Sequence, residues 1–182
     1  MSKAARELIK AGVYELVKEG GFGLLSTQRI AEKSNMTKGN LYNYFPDKDQ
    51  IVLEAYDDIE QGLQEMINGF EHNSELSDKE NLKLLWNRFY SYFEAFPDRA
   101  VFYVIFRSLP LYLDMAKDNK FGFSGVFDKS ISPYIKADDI YKSAICDIVL
   151  HNTVRLLEAA IAGNRSKFDA DYIFETVFRG IC

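Results

Sequence analysis

An all-α fold is predicted by three observations on the 182-residue sequence. Apolar residues recur in steps of three and four, no convincing strand pattern occurs, and only four prolines interrupt the chain. Hydrophobic residues at 47% and aromatics at 14% favour a packed core over disorder. About nine helices are expected, divided between a three-helix N-terminal domain over residues 1–47 and a larger helical domain over 48–182.

The first helix is read from the stripe Ala5, Leu8, Ile9, Gly12, Val13, Leu16 and Val17, and Gly20-Gly21 ends it. Phe22, Leu24 and Leu25 then turn inward. Ser26 opens a second helix by accepting from one of its orphan N–H groups, with Ile30 and Ala31 as a small inward face. Arg29 stands where a full capping box would place Glu or Gln. Asn35 is the best non-glycine candidate for the left-handed residue that a tight turn needs, and Thr37 caps a third helix. Leu41 and Phe45 face inward, which leaves Lys38, Gly39, Asn40, Tyr42, Asn43 and Tyr44 outside. Pro46 stops that helix and Asp47 caps the next.

From Lys48 to about Phe70, Val52, Tyr56, Ile59, Leu63, Met66 and Phe70 form the seam of a long helix that joins the two domains. Residues 72–78 read as a polar connection, and Ser77 with Glu80 makes a capping box for a helix that stops at Pro97. A shorter helix runs from about Asp98 to Ser108. Between Leu111 and Tyr134 the pattern weakens, and a break is expected near Gly122. Two last helices, about 139–162 and 169–181, flank Gly163-Asn164.

Several function classes are excluded. The N-terminus lacks an apolar signal core, and no stretch approaches the roughly 18 apolar residues that span a bilayer. Cys146 and Cys182 have neither metal nor redox spacing, so free thiols in a cytoplasmic protein are expected. No P-loop, nucleophile elbow or dinucleotide fingerprint is present, and His72 and His151 are too scattered for a His-based metal site. An enzyme, a metal site and a cofactor are therefore not expected. The net charge of −5 is unevenly placed: residues 1–50 carry eight Lys or Arg against six acids, +2, which leaves −7 on the rest. Only the N-terminal end suits a phosphate backbone, and its few charges predict a shallow salt dependence.

The run Thr-Lys-Gly-x-Leu-Tyr-x-Tyr-Phe-x-x-Lys-Asp from Thr37, preceded by Ile30-Ala31, resembles the DNA-binding domain of the TetR family of bacterial transcriptional regulators. The resemblance covers roughly residues 5–55. Asn35 departs from the glycine common at that turn, a change that left-handed tolerance makes harmless. The resemblance implies a helix-turn-helix whose DNA-binding residues are Thr27, Gln28, Thr37, Lys38, Gly39, Asn40, Tyr42, Tyr44 and Lys48. Lys suits guanine acceptors and the amides of Asn and Gln suit adenine, whereas Thr27 and Lys48, each near a helix N-terminus, suit phosphate. Gly39 weakens a helix interior, a sign that a base edge or sugar approaches too closely for a Cβ.

One such unit reads too few base pairs to select a site in a genome, so a homodimer on a palindromic operator is expected, its interface on the last two helices at Ile148, Leu156, Ala159, Phe174, Val177 and Phe178. The aromatic middle of the chain is the candidate sensor of a small apolar or aromatic effector. Trp86, Phe89, Tyr90, Phe93, Tyr103, Phe106, Tyr112 and Phe127 would line its pocket, with Arg107, His151 and Arg155 as polar anchors. Release from DNA on effector binding, the commoner family behaviour, makes the protein a repressor. The alternative is a helical DNA-binding adaptor controlled by a protein partner, with no small-molecule effector.

Overall fold

The computed structural model describes residues 3–112, 125–163 and 169–179, and every regular element among them is helical. The helices are α1 (Lys3–Gly20), α2 (Thr27–Lys33), α3 (Lys38–Tyr42), α4 (Lys48–Ile67), α5 (Asp78–Ala95), α6 (Pro97–Arg107), α7 (Val126–Ile131), α8 (Asp139–Ala162) and α9 (Asp169–Val177). Short 3-10 turns cover Phe22–Leu24 and Ser132–Tyr134. The break expected near Gly122 lies outside the described residues.

Two compact units emerge, and they divide the chain elsewhere than at 47/48. The first joins Met1–Ile59 to Asp98–Leu109, and the second joins Glu60–Pro97 to Pro110–Cys182. The physical reason is aromatic. In the first unit α6 sets Phe102 edge-on to Tyr14 of α1 at 5.2 Å and Tyr103 flat against Tyr56 of α4 at 5.4 Å, while Phe106 lies 4.8 Å from Tyr56. Those rings belong to the N-terminal core, so α6 joins it.

Charge reinforces the same packing. Asp58 of α4 pairs with Lys10 of α1 and with Arg99 of α6 at 3.1 Å, and Tyr14 donates to Asp58 at 3.3 Å and to the Ala55 carbonyl at 2.7 Å. Burial disfavours the Lys10 ammonium, but hydrogen bonds to Asp58 and Glu7 outweigh it and hold the group above the ordinary lysine value. Gly12 lets α1 approach α2, since a Cβ there would meet Ser34 Oγ at 3.0 Å. Leu8, expected inside, is 55% exposed.

In the second unit the core forms around Trp86 of α5, which packs on Phe174 and Phe178 at 5.5 and 6.4 Å and donates from its indole to Thr153 Oγ1 at 3.3 Å. Phe89 meets Phe127 of α7 edge-on at 5.0 Å. A carboxylate oxygen of Glu60 accepts from the Val126 N–H at 2.7 Å, placing negative charge at the start of α7. At Gly62 a Cβ would strike the Tyr92 ring at 2.6 Å, so only glycine admits this close packing of α4 against α5.

Candidate functional site

The turn between α2 and α3 is built as its residues dictate. Asn35 takes φ 54, the left-handed conformation, and is the non-glycine residue with positive φ among the described residues. Ser26 Oγ accepts from the Arg29 N–H at 3.2 Å, Thr37 Oγ1 from the Asn40 N–H at 3.2 Å, and Asp47 from the Gln50 N–H at 2.8 Å. Three helix starts are thus capped within one short stretch, and α3 is held although five residues alone make a weak helix. Leu41 and Phe45 are buried, and Arg6 lies over the Phe45 ring at 4.7 Å while donating to the Tyr44 carbonyl at 3.2 Å.

The opposite side of α3 is open. Lys38, Gly39, Asn40 and Tyr42 are all exposed, as are Thr37, Gln28 and Lys48, whereas Thr27 and Tyr44 are half-buried. The Lys38 ammonium sits 5.9 Å above the Tyr42 ring, and the Asn43 amide donates to Asn40 at 3.3 Å. Nothing in the protein lies within 4 Å of a Cβ built at Gly39, so no intramolecular contact requires glycine there. Gln28 donates to Glu32 at 2.6 Å, a bond that must open before the amide reaches a base.

Charge pairing sorts the cations of this unit. Arg6 is tied to Glu54, Lys10 to Glu7 and Asp58, Lys18 to Asp98, and Lys33 to Glu15 and Glu19. Hydrogen bonds to Glu15 and Glu19 hold the half-buried Lys33 above its ordinary value. Lys3, Arg29, Lys38 and Lys48 enter no ion pair among the described residues. Arg29 is the residue that the sequence reading passed over.

The aromatic set expected to form one pocket is divided between the two units. Trp86, Phe89, Tyr90, Phe93 and Phe127 are buried in the core of the second unit, and Tyr112 is buried as well. Tyr103, Phe106 and Arg107 belong to the first unit, where Arg107 lies over the Tyr103 ring at 5.5 Å. His151 and Arg155 are exposed on α8, Arg155 paired with Glu158 at 3.1 Å. Aromatic residues at helical spacing serve a core as well as a cavity, and several of these pack on one another, Trp86 on Tyr90 and Phe89 on Phe127. The interface set divides too: Ile148 and Ala159 are exposed and Leu156 half-buried, whereas Phe174, Val177 and Phe178 are buried against their own chain because α9 turns that face toward Trp86. Among the described residues no group of three His, Cys, Asp or Glu side chains is arranged to hold a metal, and no helix is long and apolar enough to cross a membrane.

Comparison with known proteins agrees with this geometry. Residues 3–55 match the family described as bacterial regulatory proteins, tetR family. An uncharacterized HTH-type transcriptional regulator YxbF of Bacillus subtilis is 29% identical over 73 residues, which are 40% of this chain and 19% of that protein, so the match spans about a fifth of the relative's length. Among solved structures, a TetR-family transcriptional regulator from Haemophilus influenzae is similar with a TM-score of 0.67 and 16% identity, covering 97% of this chain and 98% of its own. A putative tetR family regulator from Shewanella sp. PV-4 gives 0.71 and 16%, covering 97% of both chains. The regulator FadR from Bacillus subtilis, in complex with stearoyl-CoA, gives 0.64 and 15%, covering 97% and 99%. Residues 3–55 thus form a DNA-binding domain of the tetR family of bacterial regulatory proteins, and the chain as a whole shares the all-helical fold of the solved TetR-family structures.

Proposed function

We propose that the protein is a homodimeric repressor that reads a palindromic operator with α3 and leaves it when a small molecule binds the second unit. The observation that carries the reading is the outer side of α3, where Lys38, Gly39, Asn40 and Tyr42 are exposed and unburdened by acids while Leu41 and Phe45 anchor the helix inside. Lys38 and Asn40 suit base edges, Tyr42 and Tyr44 stack or reach phosphate, and Thr27, Thr37 and Lys48 position the backbone, now with Arg29 beside them.

Dimerisation is supported by α8. Its inner side buries Cys146, Val149, Leu150, Val154 and Leu157, yet Tyr141, Ile148 and Ile161 are also exposed. Large apolar residues left on the outer side of a helix call for cover, and Tyr141, Ile148 and Ala159, interspersed with the polar Asn152 and Arg155, suit a second copy packed about a two-fold axis. A small-molecule effector is supported by the FadR structure in complex with stearoyl-CoA. The adaptor reading draws on the packed state of the aromatic set, and a thermal-shift screen with small apolar compounds separates the two. Gel-shift titration against the DNA flanking the protein's own gene tests the whole reading. A discrete complex, weakened at least tenfold by Lys38→Ala or Tyr42→Ala, is expected; sequence-independent binding would overturn it.

A further inference from the structure

A cavity of about 550 Å³ opens within the second unit, and its described lining includes none of the residues expected to sense an effector. Its apolar lining is Ile67, Phe70, Leu85 and Pro133. The same lining carries the polar side chains of His72, Asp78, Ser130 and Tyr134, so it offers both apolar contact and polar groups to a ligand.

The lining is held in place. Asn81, fully buried, accepts from the Asn73 N–H at 2.8 Å and donates to the Asn73, Leu76 and Ser77 carbonyls, which fastens the segment beside His72 onto α5. Arg88 donates to the Met66 and Asn68 carbonyls at 3.3 and 3.2 Å and covers the Phe70 ring at 5.5 Å. The Ser77–Glu80 capping box sets Asp78 in the first turn of α5. His72 and Tyr134 present nearly parallel rings, 14° apart with centroids at 6.3 Å.

The electrostatics choose the ligand. Among the described lining residues Asp78 is the carboxylate, and no Lys or Arg stands with it. Its near neighbour is His72, whose Nε2 stands 3.7 Å away, beyond a hydrogen bond. The cations of α5 are engaged elsewhere: Lys79 with Glu175 and Lys83 with Asp171, both at 2.7 Å, and Arg88 with backbone carbonyls. Burial, then the nearness of Asp78, pushes the Tyr134 phenol above its usual range, which keeps its ring neutral with an electron-rich face. Seventeen acids against twelve bases give the second unit the whole net charge of −5, and such a field draws cations.

We infer that this cavity binds a small organic cation with a flat apolar body, its charge against Asp78 and the faces of Tyr134 and His72, its body on Ile67, Phe70 and Leu85. A fatty acyl thioester or carboxylate, which would bring negative charge to Asp78, is disfavoured here. As a regulatory site the cavity rests on the repressor reading, but the binding itself needs no DNA. Titration calorimetry on the free full-length protein uses benzyltrimethylammonium, with benzyl alcohol and benzoate as neutral and anionic matches. The cation is expected to bind at least tenfold tighter than the alcohol, with benzoate weaker still. Asp78→Asn should weaken the cation about tenfold and leave the alcohol unchanged, Glu94→Gln on the same helix should change nothing, and Ser130→Phe should block all three by filling the space. Circular dichroism checks each fold, and if Ser130→Phe fails to fold, Asp78→Asn decides. Benzoate binding as tightly as the cation, an Asp78→Asn protein with unaltered affinity, or no binding by any probe would overturn the inference. Gel shift with the bound cation then reads operator release separately: binding without release leaves the site standing and removes its regulatory role.

Discussion

Gly39 stands on the exposed side of α3 with φ in the ordinary range and no protein atom near its missing Cβ. If only the fold mattered, alanine would serve better, since glycine inside a helix is less stable by about 0.5–1 kcal/mol. Gly39→Ala is therefore expected to raise the unfolding temperature yet weaken operator binding at least tenfold, read by parallel thermal unfolding and gel shift. Binding that survives unchanged would show that the open space meets solvent alone. At this scale much was legible in advance, because caps and left-handed turns are local: Ser26, Thr37, Asp47 and Ser77 each accept the expected N–H bond, and Asn35 takes the expected conformation. Arg29 was missed because its exposure and lack of an acid partner depend on how α1 and α2 pair their charges.

The start of α5 shows how one element is fixed by a few atoms. Ser77 accepts from the Glu80 N–H, and Glu80 accepts from both the N–H and the hydroxyl of Ser77. Those hydrogen bonds, side chain first and backbone second, hold the Glu80 carboxyl below its ordinary value of 4.5. A depressed carboxylate contributes stability above the ordinary value and loses it as pH falls through the lower, folded one. Ser77→Ala is expected to lower stability by about 1 kcal/mol at pH 7. The difference between the two proteins should shrink as urea titrations are moved below pH 4.5. A constant difference across that range would assign the loss to the hydroxyl alone. The last helix illustrates what element-level reading cannot separate: Phe174, Val177 and Phe178 have the spacing of an apolar stripe whether it meets another subunit or Trp86. The stripe's existence was legible, its partner was not, because the partner lies far away in sequence. Tyr103 and Phe106 went astray for the same reason, being drawn to Tyr56.

For the whole molecule, the exposed apolar residues of α8 and the few unpaired cations of the helix-turn-helix region make separate predictions. Ile148, 56% exposed, lies on the side assigned to the second copy. Ile148→Glu should convert a dimer into monomers in analytical ultracentrifugation and reduce operator affinity at least a hundredfold, with the melting curve of the monomer little changed. A dimer that persists would move the interface elsewhere. Three cations of the helix-turn-helix region, Arg29, Lys38 and Lys48, enter no ion pair among the described residues. Doubled by a two-fold axis they give a slope of about −5 in log affinity against log salt, checked by gel shifts across a potassium chloride series. A slope steeper than about −8 would require phosphate partners beyond these.

The internal engagement of Arg6, Lys10, Lys18 and Lys33 has a kinetic side. Random duplex offers this protein little purchase, so each encounter off target is brief and travel along the strand short. On the proposed operator-binding reading, such a protein would locate its site chiefly by repeated excursions through solution, and occupancy would follow copy number closely rather than being buffered by a reservoir parked on the chromosome.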